Sequence, residues 1–115
     1  MSEFENFVEI FNIIGNPVRF GILLVLYGSE YLKREKGSLT FKELKRVMQI
    51  PNDAVLNYHL KKLIEAGLVR KIPVQETPTS RILPVYKITE KWTNFLKESG
   101  LEESLDEYIE NILQQ

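Results

Sequence analysis

The chain has no cysteine and a single histidine. Disulfides and thiolate metal centres are therefore excluded, and the absence of cysteine fits a cytosolic address. Long apolar runs are also missing. The longest spans residues 21–27, too short to cross a bilayer, and no cationic leader with a small-residue cleavage site opens the chain. Neither membrane insertion nor export is expected, and the predicted location is cytoplasmic. No repeat or low-complexity tract interrupts the sequence, and no glycine-rich phosphate loop is present. The carboxylates occur singly or grouped in the tail, and no nucleophile is paired with a base. The expectation is a protein without catalytic activity, cofactor or metal.

What is present suits one compact domain covering residues 1–115: 43% apolar and 27% charged residues, ordinary for a globular protein. The net charge of −1 conceals a gradient. Residues 1–39 sum to −1, residues 40–91 to +5 with ten Lys/Arg against five Asp/Glu, and residues 92–115 to −5. Positive charge is concentrated in the middle of the chain and negative charge in its tail.

Apolar periodicity and capping residues predict mainly helix with a small β-hairpin. Ser2 and Glu5 have capping-box spacing, and Phe4, Phe7, Val8, Phe11 and Ile14 recur at helical steps, giving a helix over 3–14. Gly15 stops it, Asn16 caps the next helix, and Pro17 takes its first position. That helix presents Val18, Ile22, Val25 and Leu26, and continues past Gly28 to about residue 35, with Gly37-Ser38 as the stop. Thr40 and Glu43 form a second capping box for a helix over 41–48, with Phe41, Leu44, Val47 and Met48 expected inward. A turn through Gln49, Ile50 and Pro51 leads to Asn52, which caps a helix over 53–66 ended by Gly67. Strands are predicted over 68–74 and 82–88, each with a proline, as expected of edge strands. Thr89 caps a helix over 90–98 with Trp92, Phe95 and Leu96 inward, and Ser99 with Glu102 suggests a third capping box for a last helix bearing Leu101, Leu105, Tyr108, Ile109, Ile112 and Leu113.

The helix over 53–66 is the most informative. Leu56, Leu60, Leu63 and Ile64 fall within an arc of about 100°, while Val55, Asn57, Tyr58, Lys61 and Lys62 lie outside it. A helix, a turn and a second helix with a polar and cationic free face is the geometry that inserts side chains into a DNA major groove. Asn can pair bidentately with adenine, and Lys can reach guanine or phosphate. Asn52 and Asp53 at the helix start are capping residues that also sit where a phosphate would dock. Lys42, Lys45 and Arg46 suit backbone contacts from the preceding helix, and Arg70, Lys71 and Arg81 suit phosphate or minor-groove contacts from the hairpin. His59, with no second ligand or nucleophile–base partner, reads as a partly buried or phosphate-facing group rather than a switch.

Three stretches resemble the winged helix-turn-helix regulators, most closely the ArsR-like type. Residues Ile14 to Leu23 look like the family's opening, Asn57 to Leu63 with Glu65 to Val69 like its recognition helix and wing start, and Tyr86-Lys87-Ile88-Thr89 like the close of the wing. The link over residues 28–38 is longer than is usual in that family, and without cysteine the metal-sensing role of some members is not implied. The resemblance implies sequence-specific binding of double-stranded DNA by a homodimeric transcriptional regulator, a repressor by family habit. The helix over 53–66 would enter the major groove and the wing over 68–88 would lie on the backbone or minor groove. The flanks, 1–14 and 90–115, carry broader apolar faces than a core this small needs and are expected to form the dimer interface; packing of the last helix on the first is the alternative. A winged-helix protein–protein interaction module without specific DNA binding is the rival reading. An effector pocket between subunits, lined by Phe4, Phe11, Trp92 or Tyr108, is a refinement that no residue pattern demands, so any effector is unknown.

Overall fold

The computed structural model describes residues 3–31 and 37–113. The first helix, α1 (Glu3–Ile14), ends where Gly15 N–H donates to the Phe11 carbonyl. Helix α2 (Pro17–Tyr31) starts at an angle of 99° to it. Asn16 creates this corner: its Oδ1 accepts from the N–H groups of Val18 (2.9 Å) and Arg19 (3.2 Å), leaving Pro17 at the one position where a missing N–H costs nothing. The helix runs through Gly28, as its sequence context predicts; the expected capping by Ser2 and the extension over 32–35 lie outside the described residues.

Strand β1 (Leu39–Thr40) has no counterpart among the predicted elements. It is followed by α3 (Phe41–Met48), α4 (Asp53–Glu65), β2 (Val69–Val74), β3 (Leu83–Ile88), α5 (Glu90–Ser99) and α6 (Leu101–Leu113). The sheet is antiparallel in the order β1-β3-β2, so the predicted hairpin is two strands of a three-stranded sheet. Two residues are too few to show alternation; β1 exists because Leu39 and Thr40 come alongside Tyr86 and Val85. The prolines are accommodated by register. Pro73 lies opposite Pro84, and since neither can donate, this rung falls where ladder N–H groups point away from the partner strand. Among the described residues no strand flanks β3 on its other side beyond Thr40, so Pro84 leaves no donor wanting there.

The core joins these elements. Ile22, Leu23 and Leu26 of α2 meet Leu44, Leu56, Leu60 and Leu63 of the helical pair, with Tyr86 and Ile88 of β3 and Trp92, Phe95 and Leu96 of α5. Each fully buried Leu contributes roughly 1.5–3 kcal/mol by removal from water. Phe95 also receives Phe7 and Phe11 of α1 at centroid distances of 5.3 and 5.2 Å. Helix α6 packs on its own chain: Tyr27 donates to Asp106, and Tyr31 donates to Glu110 at 2.6 Å, one helical turn further along both helices. Burial, and then the hydrogen bond to Asp106, push the Tyr27 phenol well above its ordinary range.

Two local expectations are corrected. Val47, expected in the core, is 52% exposed, because it lies about 60° further round α3 than Leu44, away from Phe41 and Met48. Ser99 does not cap α6; it is the last residue of α5 and its hydroxyl donates back to the Leu96 carbonyl, while Gly100, at φ 79°, makes the turn.

Candidate nucleic-acid interface

The helical pair α3–α4 is assembled by local chemistry. Thr40 serves twice, as a strand residue and as the cap of α3: its Oγ1 accepts from Glu43 N–H (3.2 Å), and Glu43 Oε1 accepts from Thr40 N–H (3.0 Å). Helix α3 closes with Gln49 in the left-handed region at φ 54°, its N–H bonded to the Arg46 carbonyl and that of Ile50 to the Lys45 carbonyl. Helix α4 then begins at Asn52, whose Oδ1 accepts from Ala54 (2.8 Å) and Val55 (3.4 Å). It ends at Gly67, φ 78°, where Gly67 N–H bonds to Ile64 and Leu68 N–H to Leu63. The Thr89 hydroxyl donates to the Gly67 carbonyl (2.6 Å) and the Lys91 ammonium to the Ala66 carbonyl (2.8 Å). The C-terminal end of α4 is thereby tied to the start of α5, with a cation at the negative end of the helix dipole.

Helix α4 is divided as its periodicity predicts. Leu56, Leu60 and Leu63 are fully buried, while Asn57, Tyr58 and Lys61 are exposed and Lys62 is half-exposed. Tyr58 is held in place: the Lys62 ammonium sits 5.6 Å from its ring centroid, and the His59 ring meets it edge-on at 5.2 Å. His59 is more buried than expected, at 8% exposure, and its Nδ1 has no hydrogen-bond partner. Burial, and then the Arg19 guanidinium, hold its pKa below the ordinary 6.5.

The remaining predicted residues divide unevenly. Asn52 and Asp53 are exposed at the start of α4, but Asn52 Oδ1 already satisfies two first-turn N–H groups, leaving its amide nitrogen as the free donor. The Asp53 carboxylate pairs with Lys45 at 2.6 Å, so these two residues neutralise each other and link α3 to α4. Both are partly solvated, so the pair orients more than it stabilises. Lys42 and Arg46, one turn apart on α3, and Val55 on α4 are exposed. Arg70 and Lys71 are both exposed, but as neighbours on β2 they point to opposite faces of the sheet. Arg70 shares a recess with Lys87, its cross-strand partner, and with Glu30 and Glu90, so it is not grouped with Lys71. Arg81 is exposed in the loop joining β2 to β3. That loop is stitched together by Gln75 Nε2 donating to the Ser80 carbonyl (2.6 Å) and Thr77 N–H donating to Ser80 Oγ (2.9 Å).

Sequence reasoning missed Val47 as a surface group and Lys91 as a clamp on α4. The first was legible from its angle on the helical wheel; the second depends on α5 folding back beside Gly67 and has no local signal. Trp92, named as a lining residue for an effector pocket, is fully buried in the core and cannot serve as one, whereas Phe4, Phe11 and Tyr108 are exposed. Among the described residues no group of three His, Asp or Glu side chains could hold a metal ion, and no single helix is long and apolar enough to cross a membrane.

Two helices joined by a tight turn, backed by a third and followed by an antiparallel sheet, define a winged helix-turn-helix fold. A helix-turn-helix domain family model matches residues 14–72, more than half the chain, and the chain belongs to that family. Solved structures share the architecture. A protein with a GntR superfamily winged-helix-turn-helix domain from Halomicrobium mukohataei aligns over 100% of this chain and 78% of its own, at 20% identity and a TM-score of 0.73. A transcriptional regulator homologue protein from Pyrococcus horikoshii OT3 is 28% identical over 94% of this chain and 97% of its own, with a TM-score of 0.60. The transcriptional regulator YodB from B. subtilis, in reduced form, is 24% identical over 90% of this chain and 88% of its own, with a TM-score of 0.65. Among curated proteins, none matches the chain.

Proposed function

We propose that the chain is a homodimeric transcriptional regulator of the ArsR-like type that binds duplex DNA sequence-specifically. One observation carries the reading: Asn57, Tyr58 and Lys61 stand free on α4 while Leu56, Leu60 and Leu63 on its reverse are fully buried. The helix is anchored on one side and available on the other, as a major-groove reader must be. Residues 1–115 act as one winged-helix DNA-binding domain. Asn57, Lys61 and the Val55–Tyr58–Lys62 side of α4 meet base edges and phosphates. Lys42, Arg46 and Asn52 hold the backbone, with Lys45 and Asp53 bracing the helical pair. Lys71 and Arg81 approach from the wing, and Arg70 takes a secondary place because it faces the other side of the sheet. The excess of positive charge over residues 40–91 favours this reading over a protein-interaction module. Two subunits related by a two-fold axis present recognition helices about 34 Å apart, suited to a pseudo-palindrome, and the acidic tail lies away from the phosphates. Repression is the mode proposed, by occupation of the operator.

The test is duplex binding as salt is varied. If each subunit neutralises three or four phosphates, log affinity falls against log salt with a slope of roughly −5 to −7. Lys61→Ala combined with Lys62→Ala weakens binding without unfolding the protein. The slope becomes shallower by up to about 1 for each phosphate that is no longer neutralised. Undiminished binding by the double variant would refute the placement of α4, and a wild-type protein that binds no duplex would favour the interaction-module reading.

A further inference from the structure

The first turn of a recognition helix is the part that reaches base edges, and in α4 the side chains that follow Asp53 in that turn are apolar. Ala54 and Val55 are exposed there, Val55 at 41%, and Tyr58 follows at 54%, three residues on from Val55 and four from Ala54. These spacings place the three side chains on one patch of the helix surface. Nothing in the core accounts for them, since Leu56, Leu60 and Leu63 fill the opposite face. The Asp53 carboxylate and the Asn52 amide oxygen of this turn are already committed, which leaves the Asn52 amide nitrogen as its one side-chain donor and rules out a bidentate adenine contact from Asn52. Lys45 holds the Asp53 carboxylate at 2.6 Å, and Asn52 Oδ1 holds the N–H groups of Ala54 and Val55. Lys62 lies over the Tyr58 ring at 5.6 Å and His59 packs edge-on to it at 5.2 Å, so the aromatic side chain is flanked by both while it stays exposed. No arginine, lysine or glutamine projects from the first turn to take the bidentate contacts that read guanine or adenine.

An apolar group in the major groove has one complementary feature on B-form DNA, the thymine 5-methyl group. We infer that Val55, with Ala54 and Tyr58, reads thymine methyls, so that the half-site is specified by A·T pairs under the first turn of α4, while Asn57 and Lys61 supply polar contacts one turn later. The inference rests on the duplex-DNA reading above and names what that surface recognises.

A duplex enriched by selection from a randomised pool is resynthesised with deoxyuridine at each thymidine in turn, which deletes only the methyl. Wild-type protein should bind the substituted duplex more weakly, by roughly fourfold for each contacted methyl, the equivalent of burying one such group. Val55→Ala should bind the thymidine duplex less tightly and lose most of the thymidine–deoxyuridine difference at one position. Val55→Thr, which keeps a methyl, should retain part of it. The coupling between side chain and methyl is the readout, so any general effect of deoxyuridine on DNA shape cancels. Equal wild-type binding to both duplexes, or a difference that persists unchanged in Val55→Ala and in Tyr58→Ala, overturns methyl readout while leaving DNA binding intact. Failure to enrich any duplex overturns the DNA-binding reading, and this inference falls with it.

Discussion

His59 sits on α4 but is largely buried, packed edge-on to Tyr58, with Nδ1 unpartnered and the Arg19 charge acting on it. Both its burial and Arg19 disfavour the imidazolium, so its folded pKa lies below the 6.5 of an unperturbed histidine. The consequence for stability has a definite sign. As pH falls through 6.5, the unfolded chain takes up a proton that the folded chain refuses, so stability declines until the folded pKa is passed and then levels off. Urea unfolding midpoints measured between about pH 7.5 and pH 5.5 should fall, and His59→Gln should lack that component of the fall. A midpoint that drops equally in the variant would assign the pH dependence to the carboxylates instead. At this scale Asn52, Thr40, Thr89 and Gly67 were legible in advance, because a cap or a left-handed turn depends on neighbours a few residues away. The burial of His59 and its missing partner were not, because they depend on Arg19, forty positions distant in sequence.

Among the elements, the turn between α3 and α4 carries the clearest local cost. Gln49 is the one non-glycine residue at positive φ among those described, and both hydrogen bonds closing α3 depend on that conformation. A side chain there costs about 1 kcal/mol or more relative to glycine, partly offset by the entropy glycine gains when unfolded. Gln49→Gly should therefore raise stability by up to about 1 kcal/mol in chemical denaturation, with DNA affinity little changed. A loss of stability would mean that the Gln49 side chain contributes packing not evident from its exposure. The helices could be anticipated from periodicity and caps, since both are written into short stretches of chain. Strand β1 could not, because two residues become a strand only when β3 lies beside them. The expected cap at Ser99 failed for a related reason: capping-box spacing is necessary for a box but does not prevent the preceding helix from claiming the serine.

At the scale of the molecule, the flanking helices behave differently from each other. Helix α6 is bound to α2 by the Tyr27–Asp106 and Tyr31–Glu110 hydrogen bonds, and Leu101, Leu105 and Ile109 pack against the core. Helix α1 buries Ile10 and places Phe7 on Phe95, yet leaves Phe4, Val8 and Phe11 exposed, Phe4 at 77%. Their spacing of four and then three residues makes a continuous apolar stripe, the surface through which the proposed dimer would close. Phe4→Glu with Phe11→Glu should shift the sedimentation mass from that of two chains to that of one while the fold, followed by circular dichroism, is kept. A wild-type protein that already sediments as one chain would remove the dimer. Helical periods, capping residues and the drift of charge along the chain are properties of near neighbours, so the amino-acid order alone was enough to place the helix-turn-helix and the free face of α4. Which cations remain available, which aromatic groups lie in the core, and on which side of the wing Arg70 falls depend on groups far apart in the chain. Those features were settled when Lys45 met Asp53, Phe95 met α1, and the register of β2 on β3 set Arg70 beside Lys87.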